Sequence, residues 1–252
     1  MLKYILCAAA ALILAGLFTF LTKALFERVP ESWLSDYDEE FTGNSGEDRI
    51  SKRALPVIFT TFALSSFFSF MQYLQYGIKG AVLIACVGLI VYFLVMTYIS
   101  DLKYTIIPDQ FVVAIAVLAI MVIILDLPLG LKLFHSNWLS VLWGALIGFG
   151  VFFIIGAIGS LITKKNAFGF GDIKLLTALG LFSGTEGIII ILIISVLIAT
   201  IHFVALMLMG KLKRGEYKPF GPYICIATIV YISFRSYIVM GVDWYLSLLM
   251  GR

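Results

Sequence analysis

Two aspartates stand out in a chain otherwise made for lipid. Asp101 closes an apolar run at Tyr98-Ile99-Ser100-Asp101-Leu102-Lys103, and Asp172 closes Gly169-Phe170-Gly171-Asp172 and opens the next run. A carboxyl group beside hydrocarbon is costly and needs a reason to be there. Two carboxylates held together share a proton, so one can act as general base on a water while the other polarises a carbonyl and then helps an amine leave. That is aspartyl-protease chemistry. Gly169 and Gly171 allow the backbone to approach a partner or substrate closely. Asp172 begins a helix, where the positive dipole end complements its charge, whereas Asp101 ends one, where the dipole opposes it. The inequality makes Asp172 the expected base and Asp101 the expected acid.

The elements that must position them follow from composition. Of 252 residues, 62% are hydrophobic and 13% charged, against about 25% charged in soluble domains. Apolar runs fall at roughly 4–25, 55–76, 79–99, 110–127, 138–162, 172–183, 187–209 and 221–241. Most reach the ~20 helical residues that span a bilayer. Backbone groups in lipid must be satisfied internally, and the ten-residue alternation of a β-barrel does not occur here, so the runs read as helices. The expected fold is an all-α polytopic membrane protein with about eight transmembrane helices and a short cytoplasmic loop after the first. Residues 1–55 form the first helix and that loop, and residues 56–252 form the transmembrane catalytic part. The first run, ending in Thr22-Lys23 without a small-residue cleavage site, reads as a retained span. Cys7, Cys86 and Cys225 lie in apolar runs and read as small core residues. Nothing points to nucleic acid.

With the N-terminus outside, all but five of the 18 Lys and Arg residues fall on one face, the exceptions being Lys3, Lys79, Lys132, Arg235 and Arg252. The positive-inside rule makes the crowded face cytoplasmic. Between Asp101 and Asp172 the chain crosses twice, through 110–127 and 138–162, so both aspartates return to that face. The fifth span carries Gly144, Gly148, Gly156 and Ser160, a stripe that admits close approach of another helix.

The remaining polar residues have plainer readings. The segment Glu27–Arg53 holds eight acidic and four basic residues. Asp36, Asp38, Glu40 and Glu47 resemble calcium-loop spacing, but Phe41 stands where that loop needs glycine, so a solvated loop is expected. Asp109, after Pro108, reads as a helix cap, with support of the active site as the alternative. Asp126, Glu186, Asp243 and Glu216 read as ordinary interfacial or loop charges. His135 is expected at the outer interface, and His202 in a helix-to-helix hydrogen bond.

The stretches Asp101-Leu102-Lys103-Tyr104-Thr105-Ile106-Ile107-Pro108-Asp109, Gly169-Phe170-Gly171-Asp172-Ile173-Lys174-Leu175-Leu176-Thr177-Ala178-Leu179-Gly180 and Pro219-Phe220-Gly221-Pro222 together resemble the type IV prepilin peptidases, the A24 family of GxGD membrane aspartic peptidases. The resemblance covers roughly residues 80 to 235. It implies a bacterial inner-membrane endopeptidase that removes the short basic leader of prepilins or pseudopilins on the cytoplasmic side. Asp101 and Asp172 would be the catalytic pair, supported by Gly169, Gly171, Lys174, Asp109 and Pro108, with no metal and no cofactor for the peptidase step. Many members carry two CxxC pairs that bind zinc in the first loop. Here that loop has no cysteine, although Arg28-Val29-Pro30 and Ile50-Ser51-Lys52-Arg53 resemble the flanks of such a module, and zinc is not expected. Many members also methylate the new N-terminus, and S-adenosylmethionine would be the cofactor if that activity is present.

Two other readings compete. Presenilin-type or signal-peptide-peptidase-type proteases share GxGD but pair it with Tyr-Asp and Pro-Ala-Leu-Pro, where this chain has Ser100-Asp101 and Pro-Phe-Gly-Pro. A proton-coupled transporter would place its acids near the bilayer midplane, whereas these lie at span ends.

Overall fold

The computed structural model describes residues 2–35, 49–163, 169–211 and 218–249. Within them the chain forms α1 (Leu2–Phe26), α2 (Leu55–Tyr73), α3 (Gly77–Tyr104), α4 (Asp109–Asp126), α5 (Trp138–Thr163), α6 (Phe170–Leu208) and α7 (Gly221–Leu249), with short 3₁₀ turns at Glu31–Trp33 and Leu74–Tyr76. No strand occurs among the described residues. The fold is all-helical, as expected; among the described residues six segments, rather than about eight, are long and apolar enough to cross a membrane. Two of the six each hold two of the expected runs: α2 and α3 are separate helices joined by the Leu74–Tyr76 turn, with Phe62 stacked back on Tyr92, and the break expected between residues 183 and 187 falls at Gly184, whose non-helical backbone separates the two helical parts of α6.

α3 and α6 are the structural centre. α3 packs on α2, α4 and α7, while α6 packs on α4, α5 and α7, and α1 closes the far side against α2 and α3. The buried face of α3 repeats at helical spacing through Leu83, Val87, Ile90 and Leu94, and it meets Ile115 and Ala119 of α4 and Ile224 of α7 in one core. The outward faces are just as apolar: Ile13, Phe20, Leu139 and Leu208 are all exposed. Helices apolar all round suit a lipid surround. In lipid, burying a leucine against another helix releases no water, so close packing and hydrogen bonds hold the bundle together.

The α5–α6 contact shows how. At Gly144 a Cβ would overlap the Gly180 carbonyl and lie 2.7 Å from the Gly184 carbonyl carbon, and at Gly148 it would overlap the Leu176 carbonyl. The expected stripe thus presses on α6 through Gly144 and Gly148. The side chain of Ser160 lies outside the described residues, as do Asp36, Asp38, Glu40, Phe41, Glu47 and Glu216.

At the end remote from the two aspartates, the α4–α5 connection folds back into the bundle and overturns two expectations. Asp126 is fully buried and accepts the amides of Leu133, Phe134 and His135 at 3.2, 2.6 and 3.0 Å. It is not an interfacial charge. Nor is His135 interfacial: it is 1% exposed, with Nδ1 3.0 Å from Asp126 Oδ2 and Nε2 2.8 Å from the Leu181 carbonyl oxygen. Burial follows because the kink unmakes part of α6. Gly184, at φ 68° and ψ −173°, adopts a conformation nearly reserved for glycine. The Leu181 carbonyl then goes to His135, while the Thr185 amide is met by Ser140 Oγ at 3.2 Å. Buried backbone groups need such partners.

Candidate active site

Asp101 lies in the last turn of α3 and Asp172 in the first turn of α6. Both side chains are buried, each residue 4% exposed, and the two carboxylates interact electrostatically. The two crossings between them, α4 and α5, do return the chain to one end of the bundle. α4 links the pair, since it packs on both α3 and α6. The α3–α4 loop is short and anchored: Thr105, in the left-handed region at φ 56°, donates its amide to the Asp101 carbonyl, and Ser100 Oγ donates to the Ile106 carbonyl at 2.8 Å.

Gly169 and Gly171 serve close approach. Gly169 is the N-cap of α6, and its carbonyl accepts the Asp172 amide at 3.1 Å. A Cβ at Gly171 would lie 3.1 Å from Cβ of Ile107, so the absent side chain gives Ile107 its seat beside Asp172. Pro108 is the N-cap of α4 and its carbonyl accepts the amides of Phe111 and Val112. Asp109 is the first residue of α4, where its charge complements the helix start. Its two carboxylate oxygens accept Lys174 Nζ, each at 2.8 Å. This pair joins the start of α4 to the start of α6 two residues after Asp172 through charge-assisted hydrogen bonds.

Sequence reasoning missed what α7 contributes. The Gly221 amide interacts with the Asp101 carboxylate, and a Cβ at Gly221 would overlap Asp101 Oδ2. Asp101 therefore faces the positive start of α7 just as Asp172 sits at the start of α6. The inequality expected from α3 and α6 alone loses its ground, since two helix starts converge on the pair. The signal available in the sequence was the Gly221-Pro222 step at a helix start. Cys225, one turn further on, is buried within electrostatic range of both aspartates. Among the described residues, Asp101 Oδ2 and Asp172 Oδ1 are buried without a hydrogen-bond partner. His202, in the second half of α6, meets the Tyr223 hydroxyl of α7, the helix-to-helix bond expected for it.

A multi-pass helical bundle carrying a buried carboxylate pair at one end defines the class: a polytopic membrane protein with a paired-acid centre. Residues 88–204, which contain both aspartates, match the type IV leader peptidase family. It is similar to a prepilin leader peptidase/N-methyltransferase of Stutzerimonas stutzeri, 29% identical over 59% of this chain and 47% of the relative. A prepilin leader peptidase/N-methyltransferase of Xanthomonas campestris pv. campestris is 31% identical over 64% and 52% of the two chains, and leader peptidase HopD of Salmonella typhimurium 34% over 36% and 59%. The chain spans about half the length of these curated relatives. No solved structure matches.

Proposed function

We infer that the protein is a membrane aspartic endopeptidase that removes the leader peptide of type IV prepilins or pseudopilins, with Asp101 and Asp172 as the catalytic pair. One observation carries the reading: in a segment that matches the leader peptidase family, two interacting buried carboxylates each keep an oxygen that no described residue bonds. Those oxygens are suited to hold a water and the scissile carbonyl. One carboxylate takes the water's proton as oxygen attacks the carbonyl carbon. The other donates its proton to the carbonyl oxygen; the first then passes the proton it took from water to the amine nitrogen as the C–N bond breaks, and the second recovers its proton from the gem-diol hydroxyl as the carbonyl re-forms.

The chain's charge distribution supports a cytoplasmic membrane location with the dyad on the cytoplasmic side. A basic leader would then stay in the aqueous phase while the apolar pilin helix lies in lipid. The peptidase part is assigned to residues 56–252, and residues 1–55 supply α1 and the acidic segment. Glycines 169 and 171, Pro108 and the Asp109–Lys174 bridge hold the two helix ends in register.

Several relatives carry the name N-methyltransferase, a reaction for which S-adenosylmethionine is the donor group. A cavity of about 400 Å³ between α1, α2 and α3 is lined by apolar residues and Ser65, Ser66 and Ser69. It has no carboxylate for a sulfonium and no charged group for the amino-acid end of that donor, so these residues do not fit it and no step is derived through it.

The test is cleavage of a prepilin-like substrate by the full chain in detergent. Asp101→Ala and Asp172→Ala are each expected to lower the rate by at least about 100-fold, the scale of lost acid–base catalysis. Wild-type protein that cleaves nothing, or either variant at the wild-type rate, refutes the dyad.

A further inference from the structure

We propose that Gly221 is a positioning residue for Asp101, its missing side chain and its amide fixing where that carboxylate stands in the pair; the proposal rests on the aspartic-peptidase reading above. Gly221 is the first residue of α7 and lies outside the segment matched to the family. Tyr223 and Ile224 donate their amides to the Phe220 carbonyl, and Pro222 has no N–H. That leaves the Gly221 amide without a helical partner, on a residue that packs directly against the Asp101 carboxylate.

The fit is too close for any other residue. A Cβ here would overlap Asp101 Oδ2, lie 3.1 Å from Asp101 Cγ and 2.9 Å from Ile107 Cδ1. Asp101 has little room to yield. It is buried, its own carbonyl accepts the Thr105 amide at 2.9 Å, and the loop beyond is tied to Ser100. Adding one methyl group must therefore push the start of α7 away from Asp101 or turn the carboxylate from Asp172. A shift of about 1 Å in a reacting group costs on the order of 100-fold in rate. Gly241, also in α7, has nothing near its Cβ position and provides the matched control.

Gly221→Ala is expected to lower kcat about 100-fold with KM changed less than about threefold, as for a geometry needed only in the transition state. Gly241→Ala keeps both constants. A second variant separates positioning from packing, because Ile107→Val removes Cδ1, the contact that crowding alone would involve. In the double variant I107V/G221A the crowding at Ile107 is relieved but the overlap with Asp101 stays, so kcat remains low; this variant also carries the test if the single one does not fold. Recovery of kcat in the double variant, an unchanged kcat in Gly221→Ala, or a rise in KM alone each overturns the positioning role. Those results are read only where wild-type protein cleaves and Asp101→Ala does not. If the wild type is inactive or Asp101 is dispensable, the peptidase reading itself has failed, and the proposal with it.

Discussion

Replacing Asp126 with alanine removes the acceptor around which the α4–α5 connection is folded. The carboxylate takes three backbone amides and one ring N–H, with both partners of the Asp126–His135 pair fully buried as side chains. Each buried donor left without an acceptor costs about 1–3 kcal/mol, and four such donors share this carboxylate. These figures describe overlapping groups, and water entering the emptied space recovers part of the loss. The expected destabilisation is therefore about 3–5 kcal/mol rather than their sum. At about 2–4 °C per kcal/mol for a chain of this size, the midpoint falls by roughly 6–20 °C. Thermal or denaturant unfolding of the detergent-solubilised protein reads this directly. A cycle with His135→Leu should show a coupling of about 1–3 kcal/mol between the two sites. A loss below about 1 kcal/mol, the range of an exposed pair, or additive effects in the cycle, would show that the carboxylate does not organise this loop.

The Asp109–Lys174 bridge is half-exposed, with side chains 48% and 39% accessible, so Lys174→Ala should cost less than about 1 kcal/mol of stability. Asp109→Lys should lower activity at low salt, and adding Lys174→Asp should restore it; no restoration would mean that the bridge does not align α4 with α6. Gly184→Ala forces a side chain into a glycine conformation and places Cβ 2.7 Å from Ser140 Oγ. An unfolding loss of at least about 1–3 kcal/mol is expected, and an unchanged midpoint would count against the kink.

The helices were legible because hydropathy reports the solvent, and lipid demands helix wherever apolar runs are long enough. Parity of crossings brought Asp101 and Asp172 to one end without any contact being known. What stayed hidden depended on residues distant in sequence. Gly221 meets Asp101 from 120 positions away, and nothing in the local pattern around Asp101 announces a second helix start. Asp126 and His135 looked interfacial because they flank a span end, whereas their burial depends on a carbonyl released by a kink in another helix. Asp109 looked like a cap because its position suits one, and only the fold shows Lys174 within reach. Gly184 was visible as an interruption, but the sequence could not distinguish a loop from a bend.

The bend at Gly184 also sets a length. From Phe170 to Gly184 the first part of α6 rises about 21 Å at 1.5 Å per residue. α4, with 18 residues, rises about 27 Å on the same scale, whereas α3, with 28 residues, rises about 42 Å. A bilayer's hydrocarbon is about 30 Å thick, so the first part of α6 alone would not cross it; buried among α4, α5 and α7, it touches protein rather than lipid along most of its length. Its shortness therefore carries no mismatch penalty, and the depth at which Asp172 stands is set by where α6 begins against its neighbours.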